Sequence, residues 1–183
     1  MVVQSAMIET ERLILRRWRD ADRAPFAALN ADPEVMRYFP GTLTREESDA
    51  LVDRIVAHFA QHDFGLFALE DKESGAFVGF TGFQIVGFSC PVEGDIEIGW
   101  RLARAFWRRG LAFEAASACM DWIWSTRDVP RIVSFTAEIN APSRGLMRKI
   151  GLEHSPDLDF DHPALDDDSP LKRHVVYLKD RPQ

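Results

Sequence analysis

Scarcity narrows the field first. The 183-residue sequence holds two cysteines, Cys90 and Cys119, too few for a disulfide framework and in no metal-ligand spacing. No stretch approaches the ~18 uncharged apolar residues of a membrane helix. There is no basic excess: 22 basic side chains face 29 acidic ones, a net charge of −7, which disfavours a nucleic-acid partner. Glycine (11) and proline (10) are modest and no heptad persists, which excludes collagen-like and coiled-coil chains. No basic segment leads into an apolar one near Met1, so no signal peptide is expected. These absences together predict a reduced, cytoplasmic protein without a membrane or a metal.

What remains is ordinary globular material, 46% hydrophobic and 28% charged. The length suits one domain spanning 1–183, with residues 1–7 as a flexible tail. The acidic balance would suit a cationic small substrate, and it is equally common among soluble enzymes without that meaning.

Hydrophobic periodicity orders the chain. Leu13–Leu15 reads as a strand. A helix capped by Asp20 carries Ala24, Phe26, Ala27 and Leu29, and a short second helix opens at Pro33 and runs to Tyr38. Thr44 and Glu47 form a capping box before a helix with Leu51, Ile55 and Phe59 at spacings of four. Strands follow at Phe64–Leu69, Phe77–Ile85 and Asp95–Leu102, the first two joined by the turn Asp71–Gly75. Gly79 and Gly82 inside a strand suggest a bulge or a close backbone approach. A helix starts near Leu111, a strand covers Arg131–Ala137, and Pro142 opens a helix that Gly151 stops. Glu153–Ser169, with seven acids and no Lys or Arg, reads as a long loop before a closing strand Val175–Leu178. The order is strand, two helices, three strands, helix, strand, helix, strand.

Three places can carry chemistry. Trp107 to Glu114 joins a strand to a helix, where backbone N–H groups and the helix dipole can cradle a pyrophosphate. Gly110 and Ala112 leave room there, and Arg108 and Arg109 can add charge. Asn140 ends a strand and can cap the next helix; its amide can equally meet an amide-bearing ligand. Glu97 alternates with Ile96 and Ile98, so it lies on the opposite sheet face from them. Lining a cleft, it would be a general base with a raised pKa; facing solvent, it would be an ordinary surface carboxylate. His58 and His62 are four apart but lack a third ligand nearby.

Together these segments resemble the GNAT superfamily of acyl-CoA-dependent N-acyltransferases, and within it the RimJ/RimL-type branch. The resemblance spans Thr10 to about Leu178. It rests on Thr10–Trp18 as first strand, Glu97–Leu102 as central strand, Trp107–Glu114 as phosphate loop and Asn140–Gly151 as the following helix. It implies a single α/β (α+β) domain. A mixed, mostly antiparallel central sheet with a splayed parallel pair would be flanked by about four helices. The family signature Q/R-x-x-G-x-G/A falls on Trp107 to Ala112, through Arg108, Arg109, Gly110 and Leu111. Trp107 replaces the Gln or Arg, and Arg108 stands where the branch commonly has Gly.

The resemblance further implies pantetheine contacts from the backbone of Trp100, Arg101 and Leu102 and from Asn140. The Tyr that many relatives place seven residues after that Asn is Met147 here, so Ser143 becomes the candidate acid. The implied reaction moves an acetyl group from acetyl-CoA to a primary amine. The acceptor would be a small cationic amine or a protein N-terminal α-amine. Glu97 would act as base and Ser143 as acid, with no metal, in a monomer or homodimer. A longer acyl-CoA, or a non-catalytic acyl-CoA-binding module, are the alternatives.

Overall fold

In the computed structural model the described residues are 8–183; the tail expected at 1–7 lies outside them. The elements are β1 Ile8–Glu9, β2 Leu13–Arg16, α1 Arg23–Asn30, α2 Arg45–His62, β3 Leu66–Asp71, β4 Phe77–Ile85 and β5 Ile96–Leu102. They continue with α3 Leu111–Thr126, β6 Arg131–Ala137, α4 Ala141–Lys149, β7 Glu153–His154, β8 Phe160–Asp161 and β9 Arg173–Asp180. One sheet runs β1-β2-β3-β4-β5-β6-β9-β7, with β8 also on β9. All pairs are antiparallel except β5 with β6.

Local chemistry explains the main elements. The Thr44 hydroxyl accepts from Glu47 N–H at 3.2 Å and the Glu47 carboxylate accepts from Thr44 N–H at 2.8 Å, closing the capping box. Val52, Ile55 and Phe59 form the buried stripe of α2, while Val56 faces solvent. Gly79 and Gly82 take φ of 144° and 143°, which favours glycine. A Cβ at Gly79 would meet the Arg101 carbonyl at 2.1 Å, and one at Gly82 the Gly65 carbonyl at 2.2 Å. Close approach is therefore the reason for both, and a register shift lies beside them between Leu69 and Glu70.

Three expectations need correction. Asp20 does not cap α1: it opens a 3-10 turn, Asp20–Asp22, and Asp22 is the N-cap residue. Residues 33–38 form turns rather than a helix: Met36 N–H reaches Asp32 O at 3.0 Å, but the Asp32 side chain takes Glu34 N–H at 2.9 Å, the local bond that competes with helix. The stretch Glu153–Ser169 is not a plain loop, because β7, a 3-10 turn at Pro156–Leu158 and β8 fold it onto β9. Asp159 is part of that structure, accepting from Val176 N–H at 2.9 Å with His154 Nε2 3.0 Å away.

The core has two parts. The larger joins all four α-helices to the sheet, with Phe26 against Phe80 and Trp122 against Phe67 and Phe83. The smaller gathers Val86, Val92, Val133, Phe160 and Val176 on one face of β6 and β9.

Candidate active site

The parallel pair comes apart almost as soon as it forms. β5 and β6 pair only at Ile96 with Ile132 and Glu97 with Val133. Just beyond, the Ser134 hydroxyl donates to the Ile98 carbonyl at 2.8 Å, in place of the next ladder bond. Strand alternation then turns the backbone groups of Trp100 and Leu102 to this opened edge. The Leu102 carbonyl accepts from the Trp107 indole at 2.8 Å. Arg101 points its carbonyl the other way, against Gly79 of β4.

At the wide end of the split lies the turn into α3. Arg104–Phe106 is a 3-10 turn, Arg108 takes a left-handed φ of 58°, and Gly110, φ 77°, is the N-cap of α3. Gly110 supplies no side chain, so the first N–H groups of α3, from Leu111 and Ala112, have no side-chain cap. That arrangement suits a pyrophosphate. Trp107, Arg108, Arg109 and Gly110 are all exposed. Arg12 from the edge of β2 braces the turn, donating to the Arg109 carbonyl at 2.8 Å and pairing with Glu114 at 2.6 Å.

The third segment is anchored at both ends. Asn140 caps α4 by accepting from Ser143 N–H at 3.2 Å, and its amide donates to the Thr136 hydroxyl at 2.9 Å. Ser143 is half-buried in the first turn of α4, and Met147 is buried in the core.

Glu97, Gly99 and Arg101 share the face of β5 opposite Ile98, Trp100 and Leu102. Glu97 is 8% exposed. Gln84 donates to it at 2.7 Å, and burial pushes its pKa up to about 7 against that bond. Its β6 neighbour Val133 shares its face, and so do Phe135 and, across the β6–β9 register, His174. There Phe88, Phe135 and Phe160 pack with His162 and His174, whose rings lie 4.9 Å apart. Burial holds both histidines below the usual imidazole value, so they are neutral at pH 7. His58 is satisfied elsewhere: Nδ1–H donates to Phe64 O at 3.0 Å and Nε2 accepts from Ile85 N–H at 3.3 Å.

The model of the acetyltransferase (GNAT) domain matches residues 12–153. The chain belongs to the GNAT acetyltransferase family. The Bacillus subtilis protein YkkB is 32% identical over 147 residues, 80% of this chain and 84% of that one. The N-acetyltransferase YnaD of the same organism is 28% identical over 146 residues, 79% of this chain and 81% of its own. Among solved structures, an acetyltransferase from Agrobacterium tumefaciens superposes with a TM-score of 0.78 at 24% identity, covering 98% of this chain and 96% of that one. The ribosomal L7/L12 α-N-protein acetyltransferase RimL in complex with coenzyme A does so with 0.78 at 14%, covering 96% and 98%. At these identities the structural likeness is one of fold.

Within this GNAT domain the structure brings Glu97 and the Trp100 and Leu102 edge to one split, and sets the Trp107–Ala112 turn at its wide end. Sequence reasoning missed three contributors: Gln84, the brace from Arg12, and the aromatic and histidine wall. Gln84 is the direct register partner of Glu97 across β4–β5, a pairing no local pattern announces.

Proposed function

We propose that this protein transfers an acetyl group from acetyl-CoA to a primary amine, either a small cationic amine or a protein N-terminal α-amine. The buried Glu97, with a pKa near 7 and beside the split between β5 and β6, is the observation that carries the reading. An alkylamine has a pKa of about 10 and arrives protonated. Glu97 takes that proton directly or through one water, since a base with a pKa near the working pH is the efficient one. Gln84, donating to one carboxylate oxygen, fixes the orientation of the group and leaves the other oxygen to accept.

Acetyl-CoA supplies the activated thioester when bound. The backbone of Trp100 and Leu102 on the opened edge, with Arg101 between them, lines the pantetheine, and the Asn140 amide has one N–H to spare for it. The turn Trp107, Arg108, Arg109, Gly110, Leu111 and Ala112 holds the pyrophosphate. The Trp100 N–H donates to the carbonyl oxygen as charge builds there. The Ser143 hydroxyl gives its proton to the departing sulfur and regains one, directly or through water, from the nitrogen as the amide forms.

The test is a panel of primary amines and short peptides incubated with acetyl-CoA and read by mass spectrometry. Acetylated product from at least one class is expected. No acetylated amine, together with no release of free CoA thiol, would overturn the reading.

A further inference from the structure

Two arginines have deeply placed guanidinium groups, and they are treated differently. Arg16 is 5% exposed and meets two carboxylates, Asp22 at 2.8 Å and Glu70 at 2.7 Å. That is what a buried cation needs, since an unpaired one costs several kcal/mol. Arg101 has no carboxylate within 4.0 Å among the described residues. Its Nη1 donates to Asn30 Oδ1 at 2.7 Å. Asn30 is wholly buried and donates in turn to the Ser48 hydroxyl at 3.0 Å, which fixes its oxygen toward Arg101. The Nε is buried with no acceptor, and Nη2 takes none from the described residues.

The guanidinium stays charged and is held in place by Asn30 and two rings. Burial lowers its pKa only to about 10, well above neutrality. It lies over the Phe39 ring at 4.2 Å and near the Phe80 ring at 5.4 Å. Phe39 is 36% exposed, on the turns between α1 and α2, so this end of the site borders solvent. With Nη1 committed to Asn30, the Nε and Nη2 edge remains, the side-on fork that takes a carboxylate through two parallel bonds.

Position completes the case. Arg101 lies on the same face of β5 as Glu97, about 13 Å along the strand. Gly99 lies between them, and a Cβ added there would meet nothing within 4 Å. The strand thus carries a base at one end, an unpaired cation at the other and open space over the residue in the middle.

We infer that the side chain of Arg101 binds a carboxylate of the acceptor, so the acceptor is an amine that carries an anionic group several bonds from its nucleophilic nitrogen. This rests on the acetyltransferase reading above and sharpens it: the ammonium is drawn to Glu97 and the carboxylate to Arg101. An ω-amino acid and a peptide with an acidic residue just after its N-terminus share that chemistry.

The experiment uses matched pairs with acetyl-CoA. Aminocaproate is compared with its amide, and a tripeptide amide with aspartate second is compared with its asparagine counterpart. A ratio of kcat/KM of about 10 to 100 in favour of the carboxylate member is expected in at least one pair, expressed mainly in KM. The pair that shows it separates small amino acids from peptides. In Arg101→Gln the ratio falls to near one. A wild-type ratio near one in both pairs, or a ratio that survives in Arg101→Gln, overturns the inference and leaves amine acetylation standing. Should no amine be acetylated, calorimetric titration of the CoA-saturated protein with glutarate, which has no amine, decides the point. Binding that Arg101→Gln abolishes upholds the carboxylate site, and no binding to the wild type removes it. If Arg101→Gln does not fold, the wild-type ratios and the glutarate titration decide alone.

Discussion

The opened edge of β5 and the face bearing Glu97 belong to one strand, yet they are built from different material. The edge and the turn after it are mostly backbone: the Trp100 and Leu102 groups, the Arg108 and Gly110 left-handed residues and the first N–H groups of α3. The turn Trp107–Gly110 is solvent-exposed, and the whole region depends on conformation more than on side-chain identity. The Glu97 face is side chains drawn from distant segments: Gln84 from β4, Phe39 from a turn, Asn30 from α1, Phe135 and His174 from β6 and β9. Backbone can serve a ligand that all members of a family share. Buried side chains, each with a particular charge, serve an acceptor that differs from one member to the next.

The two regions separate most sharply at Glu97. Glu97→Gln should lower kcat by about 10²- to 10⁴-fold, the usual worth of a general base, with CoA affinity intact. The wild-type rate should rise through pH 7 as the carboxyl ionises, and the variant should lack that limb. Pre-steady-state turnover across pH checks both. A variant as active as the wild type would assign the proton to another group.

Next comes the edge. Gly110→Glu would put a side chain and a negative charge into the uncapped α3 terminus, at a φ of 77° that only glycine takes freely. CoA at a hundredfold excess over its dissociation constant should stabilise the wild type by about 2.7 kcal/mol. The variant should show no CoA-induced thermal shift, and a preserved shift would mean that the phosphates lie elsewhere. If the two regions are distinct, this variant fails in CoA binding and Glu97→Gln does not.

A third effect is on stability. The folded pKa of Glu97, about 7, lies above the ordinary value of 4.5. The native state therefore holds the proton more tightly than the unfolded chain, and ionising this group weakens the fold. The penalty is absent below pH 4.5, grows as pH rises and is complete above pH 7, where it is on the order of 3 kcal/mol. Urea midpoints should show Glu97→Gln gaining on the wild type between pH 4.5 and pH 8. A constant difference would place Glu97 in contact with bulk water.

The smallest effect is expected at the acidic stretch. Asp167 already pairs with Lys172 at 3.1 Å and Asp161 with Arg173 at 3.5 Å, so little net field is left to steer an amine. Converting Asp166, Asp167 and Asp168 to Asn should change kcat/KM by less than about threefold, and that change should vanish by physiological salt. A larger, salt-dependent loss would make the stretch part of acceptor capture.

The elements that were legible in the sequence are those with a period or a cap. Arg131–Ala137 was readable to the residue, and the Thr44 box marked the start of α2. β7 and β8 have two residues each, too short for any alternation to register, and they exist because β9 offers them an edge. The segment 33–38 carries an ambiguous signal, because proline after aspartate marks a turn as readily as a helix. Of the candidate site, alternation put Glu97 on its sheet face without saying whether that face is buried, and Gly110 marked only a turn into a helix; their roles came from the family resemblance. The pairing of Glu97 with Gln84 and the isolation of Arg101 depend on long-range register, which no window of sequence contains.

Ser134 puts a stop on a zip. Its hydroxyl takes the Ile98 carbonyl, and from that tooth onward β5 and β6 cannot close. The slot is therefore a property of the strand pair itself, set by its own side chains. A coenzyme entering it has no sheet to part and no ladder to break, so its affinity is not reduced by the work of making room.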